Sequence, residues 1–428
     1  MLGPVILLEK DLETYRFYRI IRLCYDEFMI FIDQKFSMVV LQGVNCSLLF
    51  FICLGLCIQC FGFLALIRFK LKAAPILKPT PTALGVSIIK PCFSTLDHEE
   101  ENFKTFFNQD YLGPIQFLFV VSQPSDPIVP VIKKLMKEFS HLNIELIISH
   151  TRQSYWLKID ALYDAQQYAR HELIIWSDSD VVVTPHYVSQ MAHYLQQPDI
   201  GLVTTPQYDY CADNFVTHVK ALGNNADLAA YVMLYDALIK NKTVAFGHSM
   251  GFRKSDFMSF EKHAWKTLRQ SFADDLIIPK IFSQHGKKVF FASMDCPVRF
   301  SHKTFKDMLS QQKRFALCQR ASLGGLLYAS FLLVSPVFCS LLFLLIFPSL
   351  QALLLVLTVI VVRIGLSCAF EGLILKSFQM NKKYFWVIPI WDGLKIYFVV
   401  QAIFKNKVYY HGKCYRLEKN LNLVELKT

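Results

Sequence analysis

Apolar positions along the chain follow two regimes. From Val44 to Ile67 the clearly polar residues are Asn45, Ser47 and Gln59, and none is charged. About 20 apolar residues cross a bilayer, so this run predicts a transmembrane helix. Leu323–Phe347 and Leu350–Cys368 are two further long runs that meet at Pro348–Ser349. Tyr384–Phe404 is interrupted by Pro389, Asp392, Gly393 and Lys395, and reads as a weak span or an interfacial segment. Asp392 and Lys395 fit either a polar channel or, by preference, the exposed face of an in-plane helix. Trp386, Trp391 and Tyr397 read as an interfacial aromatic belt. Between the first and second of these regions, short apolar runs alternate with amphipathic ones. Val86–Lys90, Phe117–Val121, Glu145–Ile148, Leu173–Trp176 and Leu202–Thr205 predict buried strands. Glu99–Phe107, Val129–Phe139, Lys158–Ala169 and Pro185–Leu195 predict helices. Strand–helix alternation implies βαβ units and an α/β domain with a mostly parallel sheet.

Composition fits that division. Of 428 residues, 53% are hydrophobic and 18% charged, against about 25% charged in an ordinary soluble domain. This excludes a disordered, fibrous or disulfide-knotted chain. The net charge of +11 comes with no long Lys/Arg block, so nucleic acid is not an expected partner. The excess lies near apolar runs: Arg68, Lys70, Lys72 and Lys78 follow the first one. Basic flanks favour the cytoplasmic side, so the α/β segment is expected in the cytosol. The 12 cysteines are scattered. Cys57 and Cys60 form a C-x-x-C, which can mark a redox or zinc site, but here lies inside an apolar run.

The resulting layout is an amphipathic segment over 1–36, a transmembrane helix over 37–69, the cytosolic domain over 70–318, membrane segments over 319–405 and a cytosolic tail over 406–428. Pro75, Pro79 and Pro81 make the first linker. Residues 1–36 mix charges with aromatics, as in Tyr15 to Arg19, and lack the pattern of a cleaved signal. A domain and a tail on one side require an even number of later spans. Two spans and an in-plane helix meet that; three full spans do not.

Three features carry candidate chemistry. The apolar strand Ile174-Ile175-Trp176 runs into Asp178-Ser179-Asp180. Ligands of open α/β sheets bind at the carboxyl ends of strands. Two carboxylates there can share Mg²⁺ or Mn²⁺ and bridge it to phosphates, although a D-x-D triplet also occurs in solvated turns. Asp274 and Asp275 open an amphipathic helix, as caps or as a general base. Gln311-Gln312-Lys313-Arg314-Phe315 precedes the membrane; Arg314 suits a diphosphate, or the cluster is ordinary basic flanking. His285 and His302 read as structural or solvated; His248 does too, with a role towards an acceptor kept open by its neighbours.

The order of these features along one chain resembles the ceramide glucosyltransferase-type family of membrane glycosyltransferases, family 21, over roughly residues 45 to 420. Val86-Ser87-Ile88-Ile89-Lys90-Pro91 is similar to the family's first strand, and Phe103 to Tyr111 to its L-x-T-F-F-x-x-D-Y helix. Ser125-Asp126-Pro127, with Lys133-Lys134-Leu135, resembles its first Asp motif. Gly247-His248-Ser249-Met250 with Arg253-Lys254-Ser255-Asp256 resembles its acceptor-side loop, and Gly412 to Leu417 its closing G-x-x-Y-R-L.

The resemblance implies a GT-A domain, a mostly parallel sheet with helices on both faces, carried by N-terminal and C-terminal transmembrane helices. It implies an integral membrane protein of a bacterial inner membrane or a Golgi-type membrane, with the catalytic domain facing the cytosol. The implied reaction passes a sugar, glucose or N-acetylglucosamine, from a UDP-sugar to a lipid hydroxyl such as that of ceramide, with inversion and help from Mg²⁺ or Mn²⁺. Asp275 would be the base, with Asp274 beside it. Asp126, Lys90, Asp178, Gln311 and Arg314 would hold the nucleotide sugar, Asp178 and Asp180 the metal. Gly247, His248 and Ser249 would face the acceptor. Phe315 stands where the family usually has Trp, Gln123 and Ser125 where acidic residues are common, and Asp180 where many relatives have Gly. A processive polysaccharide synthase of the cellulose or hyaluronan type is the enzymatic alternative, disfavoured by Phe315 and by too few later spans. A non-catalytic lipid-binding scaffold is the other, disfavoured by Asp126, Asp178 and Asp275 together.

Overall fold

A computed structural model describes residues 39–72, 83–93, 98–210, 214–299, 304–374, 382–410, 413–418 and 421–426. The amphipathic segment expected over 1–36 and the linker prolines lie outside them. The chain enters through the long apolar helix α1 (Val39–Leu71). The α/β part then runs β1 (Val86–Cys92), α2 (Glu99–Phe107), β2 (Ile115–Val121), α3 (Val129–Glu138), β3 (Asn143–Ile148), α4 (Leu157–Gln166), β4 (Leu173–Ser177), α5 (Tyr187–Leu195), β5 (Ile200–Thr204) and a short β6 (Asp209–Tyr210). There follow α6 (Phe215–Leu238), β7 (Ser249–Arg253), α7 (Lys254–Met258), α8 (Glu261–Leu268), α9 (Asp274–Gln284), β8 (Lys288–Phe291) and a short β9 (Val298–Arg299). The remainder is α10 (Phe305–Leu323), α11 (Gly325–Ser330), α12 (Pro336–Ile346), α13 (Leu350–Ile374), a 3-10 turn over Lys382–Val387, α14 (Ile388–Phe404), and strands β10 (Lys407–Tyr410), β11 (Lys413–Leu417) and β12 (Leu423–Leu426).

The main sheet has the order β3-β2-β1-β4-β7-β5-β8. All its pairings are parallel except those of β7, which runs antiparallel between β4 and β5. Parallel strands are covered on both faces, which is why they read as unbroken apolar runs. Every residue of β1 and β4 is buried. Alternation then sorts the side chains. Ile89, Leu118, Ile174 and Trp176 join one apolar cluster with α4, α8 and α9. Ile88, Phe119 and Ile175 join another with α2, α3 and α5. The mostly parallel sheet with helices on both faces is thus as expected.

On the membrane side the expectation needs correction. The described helices long and apolar enough to cross a membrane are Val39–Leu71, Leu350–Leu373 and Lys383–Phe404. Leu323–Phe347 is not one span. Gly324, at φ +83°, ends α10, and Pro336 opens α12 afresh. Eleven residues of α12 rise about 16 Å, roughly half a bilayer core. α1 packs on α12 and α13 through Leu48, Ile52, Val337, Cys339 and Val359. Gly55 permits that approach, since a Cβ there would sit 2.5 Å from the Val334 carbonyl oxygen.

Asp392 and Lys395 do not form an exposed face either. Asp392 is 2% exposed. Arg363 of α13 pairs with it and with Asp227 of α6, while Lys395 reaches Asp392 at 2.7 Å and Asp227 at 3.0 Å. Trp391 is buried too and donates to Asp227 at 3.1 Å, whereas Trp386 stays exposed. At the other end, the tail sheet β10-β11-β12 returns to the α/β part: Leu423 N–H donates to the Gln270 carbonyl at 3.0 Å, and Tyr415 meets Tyr155 and Phe272. The tail therefore packs against the α/β domain.

Candidate active site

β4 delivers the first carboxylates. Its last residue, Ser177, is buried, and the chain leaves the sheet at Asp178. Two contacts fix that exit. Asp178 N–H donates to the His248 carbonyl at 3.1 Å. Lys90, fully buried in β1, donates to the Asp178 carbonyl at 2.8 Å and to Ser177 Oγ at 3.2 Å, and lies 3.6 Å from the Phe106 ring centroid. Burial pulls its ammonium down to about 8. Lys90, expected among nucleotide contacts, is thus directed into the fold, at the backbone that presents Asp178.

Asp178 keeps a side chain 34% exposed. Asp180 differs: its Oδ1 is buried without a hydrogen-bond partner. Burial, and then the Asp178 charge, push its carboxyl up to about 7. Among the described residues no cluster of three or more His, Cys, Asp or Glu side chains is arranged to hold a metal ion. Mg²⁺ does not need one; it commonly takes one or two protein carboxylates and completes its shell with phosphates and water. A partly exposed carboxylate two residues from an orphaned buried carboxylate oxygen fits such an ion.

The second carboxylates open α9. Ala273 is the residue before the helix and no side chain caps it. Asp274, 2% exposed, instead pairs with Lys158 at 3.0 Å. Asp275 is half-buried. Burial, then the adjacent Asp274 charge, push its carboxyl up to about 7, against the pull of Lys158. Pro279 sits inside α9 and has no N–H for the carbonyl four residues back. That carbonyl, of Asp275, accepts from Ala245 N–H at 2.8 Å. The proline thereby frees the bond that ties the start of α9 to the 245–248 segment.

Sequence reading missed Lys158, assigned only to a helix. Its ammonium lies 2.7 Å from Asp178 Oδ1 and 3.0 Å from Asp274 Oδ2, and donates to the Gly247 carbonyl at 2.9 Å. The one available signal was a lysine set between Trp156, Leu157 and Ile159 at the start of a helix.

Gly247 and His248 join this cluster through their carbonyls. The His248 ring is buried, with Nε2 3.1 Å from Thr205 Oγ1, and burial lowers it to about 4. Ser249 is not in a loop; it begins β7, and its Oγ lies 2.8 Å from the Tyr187 hydroxyl inside the fold. Asp126 stands at the end of β2, with β1 between it and β4, where its Oδ1 accepts from Ile128 N–H at 3.1 Å as α3 begins. Gln311 and Arg314 lie on α10. The charge of Arg314 acts on Lys220 and on Cys318, and that of Asp275 also reaches Cys318. The structure therefore brings Asp178, Asp274 and the Gly247–His248 backbone into contact, with Lys90 behind them.

A model of the family described as Glycosyl transferase family 21 matches residues 48–423. Ceramide glucosyltransferase 1 of Caenorhabditis elegans is 26% identical over 137 residues, 32% of this chain and 29% of that protein. Ceramide glucosyltransferase 3 of the same organism is 29% identical over 158 residues, 37% of this chain and 34% of that protein. The chain thus matches about a third of the length of these curated relatives. Among solved structures, the mannosyltransferase PcManGT from Pyrobaculum calidifontis, in complex with GDP-Man and Mn²⁺, aligns at a TM-score of 0.47 and 14% identity, covering 85% of this chain and 98% of that one.

Proposed function

The chain belongs to glycosyl transferase family 21, and from that premise we propose that it transfers glucose or N-acetylglucosamine from a UDP-sugar to the hydroxyl of a membrane lipid such as ceramide, with inversion. The observation that carries this reading is the convergence of Asp178, Asp274 and Lys158 at the carboxyl end of β4, with Asp275 next in the chain. The relatives' name, ceramide glucosyltransferase, supports the lipid acceptor. The helices long and apolar enough to cross a membrane support an acceptor delivered from a bilayer.

Asp275 is the base in this reading. Its carboxylate takes the proton of the acceptor hydroxyl as that oxygen attacks the anomeric carbon. The bond from the anomeric carbon to the diphosphate breaks, and UDP leaves with the electron pair. A carboxyl held at about 7 is matched to that proton transfer near neutral pH. Asp178 and Asp180 would hold Mg²⁺ or Mn²⁺, which neutralises charge on the leaving diphosphate when bound. Lys90 presents Asp178 rather than touching the donor. Arg314 and Gln311, both on α10, grip the diphosphate, and Asp126 holds the nucleotide. The catalytic domain and the tail face the cytosol; the basic residues after the apolar run 44–67 support this, and Lys70 among them pairs with Asp295 at 2.8 Å.

Incubating purified protein with radiolabelled UDP-sugars and a total lipid extract tests the reading. A labelled lipid carrying one sugar is the expected product. A ladder of longer sugars would show a processive polymerase instead.

A further inference from the structure

Resting on that donor reading, we infer that Lys158 is a positioning residue: one ammonium clasps the metal-side carboxylate Asp178 to the base-side residue Asp274 and fixes the spacing of the two halves of the site.

An ammonium has three donors. That of Lys158 donates to the Gly247 carbonyl at 2.9 Å and forms ion pairs with Asp178 Oδ1 at 2.7 Å and Asp274 Oδ2 at 3.0 Å. The acceptors belong to three elements, the end of β4, the start of α9 and the segment leading into β7. The side chain is 6% exposed, and the Trp156 ring lies 5.2 Å away. The ammonium cannot turn to another partner without leaving a buried carboxylate unpaired. Gly247 closes the other side. A Cβ there would come within 3.1 Å of Asp274 Oδ1 and 3.4 Å of Lys158 Nζ.

The clasp has a measurable consequence. Asp178 is the exposed member of the pair, 34% against 3% for Asp274. Lys158 and a divalent cation must therefore share the Asp178 carboxylate. The ammonium repels that cation, so it weakens metal binding while it holds the base-side residues in place. A lysine that instead gripped the donor's diphosphate would change donor binding. A lysine that only filled the core would, when removed, loosen metal binding together with everything else.

The test measures binding of Mn²⁺ alone, by the electron paramagnetic resonance signal of the free ion, beside kcat and donor KM. In the full-length protein, Lys158→Met is expected to bind Mn²⁺ about tenfold more tightly, because one positive charge beside the ion is gone. Its kcat is expected to fall about 100-fold, the cost of a small misplacement of the base, with donor KM little changed. Lys158→Arg keeps the charge and is expected to return Mn²⁺ affinity to that of the unaltered protein. Equal or weaker Mn²⁺ binding by Lys158→Met, or a loss carried by KM alone, would overturn the clasp. If Lys158→Met does not fold, Asp274→Asn opens the other end: kcat falls with donor KM little changed, and Mn²⁺ binding weakens because the ammonium loses the anion that offsets it; an unchanged kcat, or tighter Mn²⁺ binding, overturns the proposal. Failure of the underlying reading looks different, because the unaltered protein would then bind Mn²⁺ no better than Asp178→Asn does.

Discussion

Among the described residues, two of the buried ionic clusters differ in balance. At the junction of α6, α13 and α14, Arg363 and Lys395 face Asp227 and Asp392, two cations against two anions, each paired. At the end of β4 and the start of α9, Asp178, Asp180, Asp274 and Asp275 outnumber Lys158 and Lys90, and one Asp180 oxygen is buried without a partner. A balanced cluster neutralises its own charge and holds helices together. An unbalanced one is costly in isolation and has a use only if a cation and a proton come to it. The chemistry is therefore expected in the second cluster and the architecture in the first.

The largest expected effect breaks the unbalanced cluster at its base. Asp275→Asn should lower transfer by about 10²–10⁴-fold, the usual contribution of a general base. Stability should move the other way. The Asp275 carboxyl titrates near 7 when folded and near 4 when unfolded. A raised acid pKa means that folding favours the protonated form. The resulting cost is absent below about pH 4, grows as pH rises to about 7, and is constant above. Asparagine removes it, so the variant should melt higher than the unaltered protein at pH 8 and equally at pH 4 in a thermal unfolding series. Transfer by the unaltered protein should rise through about pH 7 as Asp275 ionises.

Breaking the balanced cluster should do the reverse. Asp392→Asn leaves Arg363 and Lys395 with Asp227 as their one remaining carboxylate and should cost about 3–5 kcal/mol of stability. Thermal unfolding would show it, while turnover per folded molecule persists; equal stability would mean that the cluster holds nothing together. Asp180→Asn lies between the two cases. It should weaken Mn²⁺ binding about tenfold or more, since even residues behind a metal's ligands cost that much, yet leave the metal-free protein no less stable. The smallest effect belongs to Phe315→Trp on the exposed face of α10. Mass spectrometry should still find a single sugar per lipid.

Much of this contrast was legible in the sequence, for identifiable reasons. The strand before Asp178 is buried on both faces, so its residues form an apolar run that stops where the site begins. The acidic pair before Leu276-Ile277-Ile278 marks a helix start for a similar reason. β7 was hidden, because Ser249-Met250-Gly251-Phe252-Arg253 has neither an unbroken apolar run nor clean alternation; its place is set by the strands on either side. Lys158 was hidden because a lysine in the first turn of a helix is ordinarily solvated, and only the fold brings Asp178 and Asp274 to it. Leu323–Phe347 misled by its apolar count, whereas Gly324 and Pro336 decide where its helices stop and start. Asp392 and Lys395 misled by being charged, since the partners they have beyond each other, Arg363 and Asp227, lie 29 residues or more away in sequence.

The most direct measurement is UDP release by the purified full-length protein in detergent with Mn²⁺ or Mg²⁺, across a panel of UDP-sugars, with and without lipid extract. The account predicts release that lipid stimulates and that Asp275→Asn abolishes. Equal release by Asp275→Asn, or none from folded protein with any donor and lipid, would contradict it.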